Sequence, residues 1–511
     1  MKIDYDAIVI GSGFGGSINA LRLAQAGKSV LVLERGRRYQ PGEFPRNVRD
    51  TDRLFWQWPA QRDSRGLYEV RFFSGIATVV ASGVGGGSLV YANVHIRPDK
   101  SVFEQPRWPR AFDLPRLDPY YDRVAGMLRI SPVPPDPPLA KRDAFREAAR
   151  QMGRPIFDPD EAVDWQTCPG VGECEFGCQK GAKNTLDLTY LAEAVRLGAT
   201  VRAEMNVSHL EPAEGGYLVH ATDVRDGLST VLSARRVVLC AGTLGTNEIL
   251  LRSREVTRTL PQLSPRLGHG YSGNGDFLGS IQNARQELSP WVGPDVTSVM
   301  RFDGEHPFTM AAPGLSHPVV SVLASLGQLD GRWLRWLGWL LWPFMGTLLP
   351  WAFRSGFLSR PAAIKGPRAG DPARMTNLFA IGRDNANGTL SLRNGRLDIH
   401  WPYARENAAL VKAMTEAMRE VNRSYGGTFA PLVTWGMFNK ILTVHSLGGC
   451  HLSDSPETGV VSLQGEVHGY PGLFVADGSV IPTAIGFHPA MTISAVAELI
   501  AEAVVRNFPR P

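Results

Sequence analysis

The feature that most constrains this fold is a glycine-rich turn set between two short apolar strands near the start of the chain. A buried-strand pattern leads into Gly11, Gly13 and Gly16, then a helical stretch, then a second strand that ends in Glu34. In such a unit the glycines allow a tight turn and close approach of the backbone to a pyrophosphate. The free N–H groups at the helix start face the phosphates, and the acid can bind ribose hydroxyls. This order of strand, glycine turn, helix, strand and acid therefore predicts a dinucleotide-binding site.

Length and composition favour two large domains in an ordinary globular protein. The chain has 511 residues, of which 43% are hydrophobic and 20% charged, and this length is too great for one simple core. A net charge of +5 is small for this length and does not indicate nucleic-acid binding. Five cysteines do not indicate a disulfide framework.

We expect an intracellular, cytoplasmic protein, because no secretion signal is visible before the first strand. The most apolar segment, residues 333–353, holds five tryptophans but is interrupted by Arg335, Pro343 and Pro350. Two interpretations remain open for it and can coexist. The first is a helix lying in a bilayer interface, which would give peripheral membrane contact. The second is a buried helix pair that covers a pocket.

Strand-then-glycine patterns recur at 236–242 and 472–478, which suits the same parallel sheet as the N-terminus. Residues 375–402 alternate and carry Asn-Gly pairs, which predicts antiparallel strands, whereas residues 41–75 look loop-rich. The predicted fold class is α/β, with a discontinuous Rossmann-type domain and an α+β substrate-binding domain built on an antiparallel sheet. The Rossmann-type domain is expected at 1–40, 190–285 and 441–511, and the substrate domain at 41–189 and 286–440, with 75–98 contributing to the cofactor site.

Several blocks in this order resemble the glucose–methanol–choline (GMC) oxidoreductases, and within them the cholesterol-oxidase-like branch. The resemblance runs nearly end to end and implies FAD rather than NAD in the Rossmann-type site. The matching blocks are the N-terminal glycine motif, 83–90, 181–185 with Tyr190 and Leu191, 240–243, 273–275, 445–450 and 475–492.

The resemblance also implies where the cofactor is held. Residues 83–88 would pass beside the isoalloxazine and pyrophosphate, Val207 would touch the adenine, and Asp477 with Gly478 would approach the pyrophosphate and ribityl chain. The last helix would point its N-terminus at the flavin, which favours the anionic reduced form. The expected cofactor-binding residues are Gly11, Gly13, Phe14, Gly15, Gly16, Glu34, Arg35, Gly83, Gly85, Gly86, Gly87, Ser88, Asn93, Val207, Ala241, Gly242, Asp477, Gly478, His488 and Pro489.

Two histidines, His445 and His488, fall at the positions that the resemblance marks as catalytic. Alcohol oxidation by a flavin needs a base for the hydroxyl proton, and histidine suits this near neutral pH. One histidine would act as base and the other would hold the oxygen, and His488, at a helix N-terminus, is our candidate base. Sterol oxidases carry asparagine at the His488 position, which weakens the case for a strict cholesterol oxidase. Those that isomerise the sterol use a glutamate before a substrate-domain strand, where this chain offers only Asp371.

Three cysteines, Cys168, Cys174 and Cys178, form a cluster with three readings: structural thiols, ligands of an iron–sulfur cluster, or ligands of zinc. We favour structural thiols and no metal.

The sequence therefore predicts an FAD-dependent oxidoreductase that oxidises a bulky apolar alcohol, such as a sterol, a terpenoid or a long-chain alcohol. Oxygen or another acceptor would reoxidise the flavin. The alternatives are a dehydrogenase that uses a non-oxygen acceptor, with an iron–sulfur cluster at the three cysteines, and an FAD-containing hydroxynitrile lyase.

Overall fold

The computed structural model describes residues 3–46, 50–58, 61–316, 340–345, 348 and 370–508. The strands are β1 (Tyr5–Ile10), β2 (Val30–Leu33), β3 (Trp56–Trp58), β4 (Gln61–Arg65), β5 (Tyr68–Phe72), β6 (Ile76–Ala81), β7 (Val94–His95), β8 (Ser131–Pro132), β9 (Ile156–Phe157), β10 (Asp160–Glu161), β11 (Thr200–Arg202), β12 (Met205–Ala213), β13 (Gly216–Asp223), β14 (Ser229–Leu239), β15 (His269–Tyr271), β16 (Phe277–Gln282), β17 (Val299–Phe302), β18 (Phe308–Ala311), β19 (Thr376–Gly382), β20 (Gly388–Arg393), β21 (Arg396–His400), β22 (Thr428–Pro431), β23 (Ile441–Thr443) and β24 (Leu473–Val475). The helices are α1 (Phe14–Gln25), α2 (Thr51–Leu54), α3 (Lys100–Phe103), α4 (Leu114–Met127), α5 (Ala140–Gln151), α6 (Tyr190–Arg196), α7 (Gly242–Leu251), α8 (Tyr403–Glu406), α9 (Ala408–Tyr425), α10 (Val433–Gly436) and α11 (Ala490–Arg506).

The first sheet joins strands from the start, middle and end of the chain. Its parallel part runs β11-β2-β1-β14-β24. The antiparallel strands β12 and β13 extend it along the first half of β14. The parallel strands β2 and β24 are continuous apolar runs whose side chains are all buried, because both faces of such a sheet are covered. The edge strand β11 is partly exposed. The helices α1 and α11 pack against each other beside this sheet.

The second sheet is antiparallel, with the order β22-β16-β19-β18-β17-β9. The predicted antiparallel pattern within 375–402 is found, but β19 and β20 belong to different sheets. Asn394 and Gly395 form the hairpin turn between β20 and β21, both with positive φ (54° and 71°), as a two-residue turn of this kind requires. The other Asn-Gly pair lies at the start of β20 and is not a hairpin turn.

Residues 41–75 are less loop-rich than the sequence predicts, because β3, β4 and β5 lie there. The strand β5 pairs with β6, and such pairing is decided by partners that are invisible to a local pattern. Most of the tryptophan-rich segment 333–353 lies outside the described residues. Within it Trp342 is buried against Phe72 and Phe438, and its indole N–H donates to the Phe73 carbonyl at 2.9 Å. None of the helices in the described ranges is long and apolar enough to cross a membrane.

Candidate functional site

The two glycine segments predicted to bind the cofactor lie directly against each other. A side chain added at Gly86 would place its Cβ 2.5 Å from the Gly13 Cα, so these backbones touch. Ser12 joins the segments through its hydroxyl, which accepts from the Gly85 N–H at 3.0 Å and donates to Glu34 at 2.6 Å. The structure therefore brings both glycine clusters and the acid at the end of β2 into one site.

The Glu34 carboxylate is buried and held in place by the neighbouring backbone. It accepts from the Ser12 N–H at 3.0 Å and from the Gly36 N–H at 2.8 Å. These bonds fix its direction at the carboxyl end of β2. This is the place where a Rossmann-type site presents an acid to a ribose.

The glycine turn has the shape that a pyrophosphate needs. A Cβ at Gly15 would lie 1.6 Å from the Ala476 carbonyl oxygen and one at Gly16 would lie 1.9 Å from the Gly11 carbonyl oxygen, so these two glycines allow close packing. At Gly13, by contrast, a Cβ would meet only the Gly86 Cα, at 4.0 Å, among the described residues. No acidic side chain lies in the first turn of α1, and its free N–H groups can bind phosphate.

Asn93 also indicates that a bound group belongs in this site. It is fully buried, and neither atom of its side-chain amide has a hydrogen-bond partner within the described part of the chain. Buried amides are almost always paired, so a bound group would complete this site. The residues present thus fit FAD.

Other predicted cofactor residues are already engaged by protein groups. The Arg35 guanidinium forms an ion pair with Glu69 at 2.6 Å. The Asp477 carboxylate accepts from the Gly242 N–H at 2.9 Å, and from Thr246 and Ser479. This carboxylate therefore joins the start of α7 to the turn at 478–480. Val207 is buried on β12, where it pairs with Ala221, and Pro489 immediately precedes α11.

His445 and His488 lie side by side, with ring centroids 5.8 Å apart and planes at 78°. His445 follows β23 and His488 precedes α11. Phe379 of β19 covers both rings: it stacks on His445 at 5.5 Å and meets His488 edge-on at 6.4 Å. The second sheet therefore supplies an apolar wall over the two imidazoles.

Asp276 is the residue that the sequence analysis missed. Its carboxylate is fully buried and accepts from His445 Nδ1 at 2.8 Å, from the Thr443 hydroxyl at 2.8 Å and from the Val444 N–H at 2.9 Å. The signal was available, because Asp276 directly follows the block 273–275 that carries the resemblance. An acid bound to one imidazole nitrogen fixes the tautomer and stabilises the protonated ring.

His488 has a different environment. Burial, followed by the charges of His445 and His95, lowers its pKa to about 3, so it stays neutral at physiological pH. The preceding turn is fixed by Asn274, whose side chain donates to the Phe487 carbonyl at 2.8 Å and accepts from the Ile485 N–H at 2.9 Å. The loop 272–276 therefore holds His445 through Asp276, and it holds the turn before His488 through Asn274.

The three clustered cysteines line one cavity of about 210 Å³ with Gln179, Lys183 and Pro294. Burial raises the pKa of the Cys168 and Cys174 thiols, which disfavours thiolates there. Among the described residues, no three His, Cys, Asp or Glu side chains are placed to hold a metal ion.

Asp371 lies at the surface rather than at the site. It accepts from the Ala373 N–H at 3.0 Å and caps the short turn before β19, with about half of its side chain exposed. Its position does not support the role of the isomerising glutamate of sterol oxidases.

Comparison with known proteins identifies the family of this chain. The N- and C-terminal models of the GMC oxidoreductase family match residues 5–259 and 385–497. The chain is 30% identical to a cholesterol oxidase of Mycobacterium tuberculosis, over 98% of this chain and 91% of that protein. It is 28% identical to a cholesterol oxidase of Acinetobacter baumannii, over 97% and 93% respectively. Pyridoxine 4-oxidase from Mesorbium loti shares the fold, with a TM-score of 0.64 at 17% identity over 98% of both chains. The chain therefore belongs to the GMC oxidoreductases, FAD flavoproteins that act on alcohols.

Proposed function

We propose that this enzyme oxidises a bulky, apolar alcohol, such as a sterol, a terpenoid or a long-chain alcohol, to the aldehyde or ketone. His445 is the base and His488 holds the substrate oxygen. The observation that carries this proposal is the 2.8 Å hydrogen bond between buried Asp276 and His445 Nδ1. The second imidazole, His488, has no such acid among the described residues.

The assignment of the base follows from the two environments. Because the Asp276 carboxylate accepts the proton on His445 Nδ1, the lone pair of His445 lies on Nε2 and can take the hydroxyl proton. The negative charge of the carboxylate then stabilises the imidazolium that forms. Our interpretation from the sequence favoured His488, but a pKa of about 3 makes His488 a weak base at neutral pH.

A neutral imidazole is suited to the second role. Positioned hydrogen-bond donors stabilise an oxygen as negative charge develops on it, and His488 remains uncharged without an acid partner. When His445 takes the hydroxyl proton, a second hydrogen with its electron pair leaves the carbon and the carbonyl forms. FAD, when bound, supplies the acceptor for that hydride. The residues that would hold FAD are Gly13, Glu34, Gly86 and Asn93.

The apolar character of the substrate is supported by Phe379, which lies over both imidazoles, and by the similarity to cholesterol oxidases. Anaerobic mixing with sterols, terpenoid alcohols, long-chain alcohols and small polar alcohols tests it. We expect the apolar alcohols to bleach the flavin absorbance fastest. Faster bleaching by small polar alcohols would contradict the substrate class, and cyanohydrin cleavage without bleaching would indicate the lyase.

A dehydrogenase with an iron–sulfur cluster is a second candidate, because Cys168, Cys174 and Cys178 line a single cavity. Burial raises the thiol pKa of two of them, and we favour structural thiols. Anaerobically prepared protein should then show only the flavin spectrum and contain no stoichiometric iron. Iron at one or more atoms per chain, together with slow reaction with oxygen, would favour the dehydrogenase.

We also propose peripheral membrane contact of a cytoplasmic protein through residues 333–353. The sequence of this segment combines tryptophans with flanking arginines, a composition that suits the bilayer interface. Flotation should show binding to anionic liposomes that weakens as salt screens the charges. No binding at low salt would favour the alternative of a buried segment, with which the burial of Trp342 against Phe72 and Phe438 is consistent.

A further inference from the structure

Lys183, in the block 181–185 that carries the family resemblance, places a buried ammonium group directly behind the predicted cofactor segment. The residue is only 2% exposed. Its Nζ donates to the carbonyls of Leu89 at 3.1 Å, Tyr91 at 2.8 Å and Cys174 at 2.9 Å. An ammonium group has three N–H donors, so these three carbonyls use all of them. Within the described part of the chain, none of its hydrogen-bond partners is a carboxylate.

A buried charge of this kind is costly to keep in a fold. Burial lowers the pKa of the Lys183 ammonium group, whereas the three carbonyls favour the protonated form, which alone has three N–H groups. An apolar side chain of similar length would pack at this position without the desolvation cost. The presence of lysine is therefore explained by the three carbonyls that it holds.

Two of these carbonyls belong to the cofactor segment, residues 83–93. The Leu89 side chain packs under this segment, since a Cβ at Gly85 would lie 3.2 Å from Leu89 Cδ2. The Tyr91 ring meets Phe14 of α1 edge-on, with the ring centroids 5.5 Å apart. The ammonium group also lies 4.9 Å from the centre of the Tyr91 ring, a cation–π distance. It therefore fixes the backbone of two residues that pack against both glycine loops.

The backbone near Lys183 holds the same segment on either side of these carbonyls. The Leu186 N–H donates to the Ser88 hydroxyl at 3.0 Å. The Ala162 N–H donates to the Asn93 carbonyl at 3.0 Å. Ser88 and Asn93, both expected to bind FAD, are therefore held at the two ends of a stretch whose middle is held by Lys183.

The third carbonyl, that of Cys174, belongs to the loop that carries the three clustered cysteines. Lys183 lines the cavity of these cysteines. The residue before it, Ala182, donates its N–H to Cys178 Sγ at 3.2 Å. One ammonium group thus joins the cysteine loop to the cofactor segment.

We propose that Lys183 is a positioning residue for the cofactor. It holds the Leu89 and Tyr91 carbonyls so that residues 83–93 keep the shape that FAD needs, and it supports this segment on the cysteine loop. The inference concerns cofactor binding and does not depend on the roles of His445 and His488.

The test compares Lys183→Met with the matched control Lys141→Met. Lys141 is also 2% exposed, but its ammonium group donates to the Pro290 and Pro294 carbonyls, at 3.3 and 2.5 Å, rather than to the cofactor segment. Each substitution removes one buried ammonium group and leaves the length of the side chain nearly unchanged. Titration of the folded full-length apoproteins with FAD, followed by flavin fluorescence, measures the dissociation constant.

We expect Lys183→Met to weaken FAD binding about 10- to 100-fold, the range found when a residue that orients ligand-binding groups from behind is removed. Lys141→Met should change FAD binding little, although it lowers thermal stability as well. Hydrogen exchange of the apoproteins localises the effect. Amides within 83–93 and 174–178 should exchange faster in Lys183→Met and at the parent rate in Lys141→Met.

If a methionine variant fails to fold, Lys183→Gln and Lys141→Gln provide the same comparison, because glutamine keeps two N–H donors at each position. Parent FAD affinity in the Lys183 variant would overturn the inference. An equal loss of affinity in the Lys141 variant would overturn it as well, since the effect would then come from general destabilisation. So would a loss of affinity with unchanged exchange in 83–93.

Discussion

Replacing Asp276 by asparagine tests the catalytic assignment most directly. Three donors point at this fully buried carboxylate: the Thr443 hydroxyl, the Val444 N–H and His445 Nδ1, all at 2.8–2.9 Å. An amide has nearly the same shape but only one acceptor oxygen. Its NH₂ group must therefore face either His445 Nδ1 or both the Thr443 hydroxyl and the Val444 N–H, because these two donors share one carboxylate oxygen.

The expected loss of rate depends on which donor the new NH₂ group faces. If the NH₂ group faces His445, Nδ1 must become an acceptor and the ring proton moves to Nε2, which then cannot take the substrate proton. The same exchange in other His–Asp pairs costs about 10⁴ in rate, and general bases contribute about 10²–10⁴. We expect flavin reduction to slow by about 10³–10⁴. Loss of a hydrogen bond to a charged group should cost about 1.5–3 kcal/mol of stability.

Rapid anaerobic mixing with saturating alcohol measures the rate, while FAD content and thermal unfolding measure integrity. The matched control is Asp384→Asn. That buried carboxylate braces the same loop by accepting from the Ser272 hydroxyl at 2.9 Å and the Gly275 N–H at 2.7 Å. We expect it to lower stability with a much smaller loss of rate. An Asp276→Asn enzyme that reduces flavin at nearly the parent rate would show that Asp276 only braces the loop.

Two further predictions concern the cofactor turn and the response to acid. Gly13→Ala should weaken FAD binding and spare the stability of the apoprotein, whereas Gly16→Ala should destabilise the apoprotein. The reason is that only a Cβ at position 16 would lie within 2 Å of another backbone atom. Equal unfolding temperatures for the two apoproteins would contradict this prediction. Because the folded-state pKa of His95 is lowered from 6.5 to about 3, the unfolded chain binds more protons and stability falls as pH drops below 6.5. His95→Gln should reduce that slope by about 1.4 kcal/mol per pH unit in denaturant unfolding at pH 6 to 4.5, and an unchanged slope would refute the buried neutral state.

The parts of this structure that the sequence predicts well are those specified by neighbours in the chain. The glycine turn, α1 and the acid at the end of β2 form within about thirty residues, and Asn394-Gly395 determines its own hairpin. The last helix begins at Ala490, directly after Pro489, and proline is tolerated at the start of a helix. Local order therefore places His488 at the start of this helix, whereas the short strand β23 before His445 is known only from the structure.

What the sequence does not reveal depends on contacts between distant residues. Asp276 lies 169 positions from His445, and no periodicity pairs them. Phe379 also reaches the site only through the second sheet, on β19. The base was assigned to His488 because a helix N-terminus was the only visible influence on either histidine. Burial and the Asp276 hydrogen bond, both tertiary, favour the opposite assignment.

The loop between β15 and β16 explains why the two imidazoles can have different chemistry and still keep a fixed separation. Asn274 has a positive φ of 54° and bonds the turn before His488, and two residues later Asp276 bonds His445. Gly275 must be glycine there, because at a φ of 64° a Cβ would lie 2.3 Å from the Gly382 carbonyl oxygen of β19. Any displacement of this short loop moves the supports of both histidines together. The 5.8 Å separation of the rings is therefore set by three consecutive residues, while the identity of each partner decides which imidazole takes the proton.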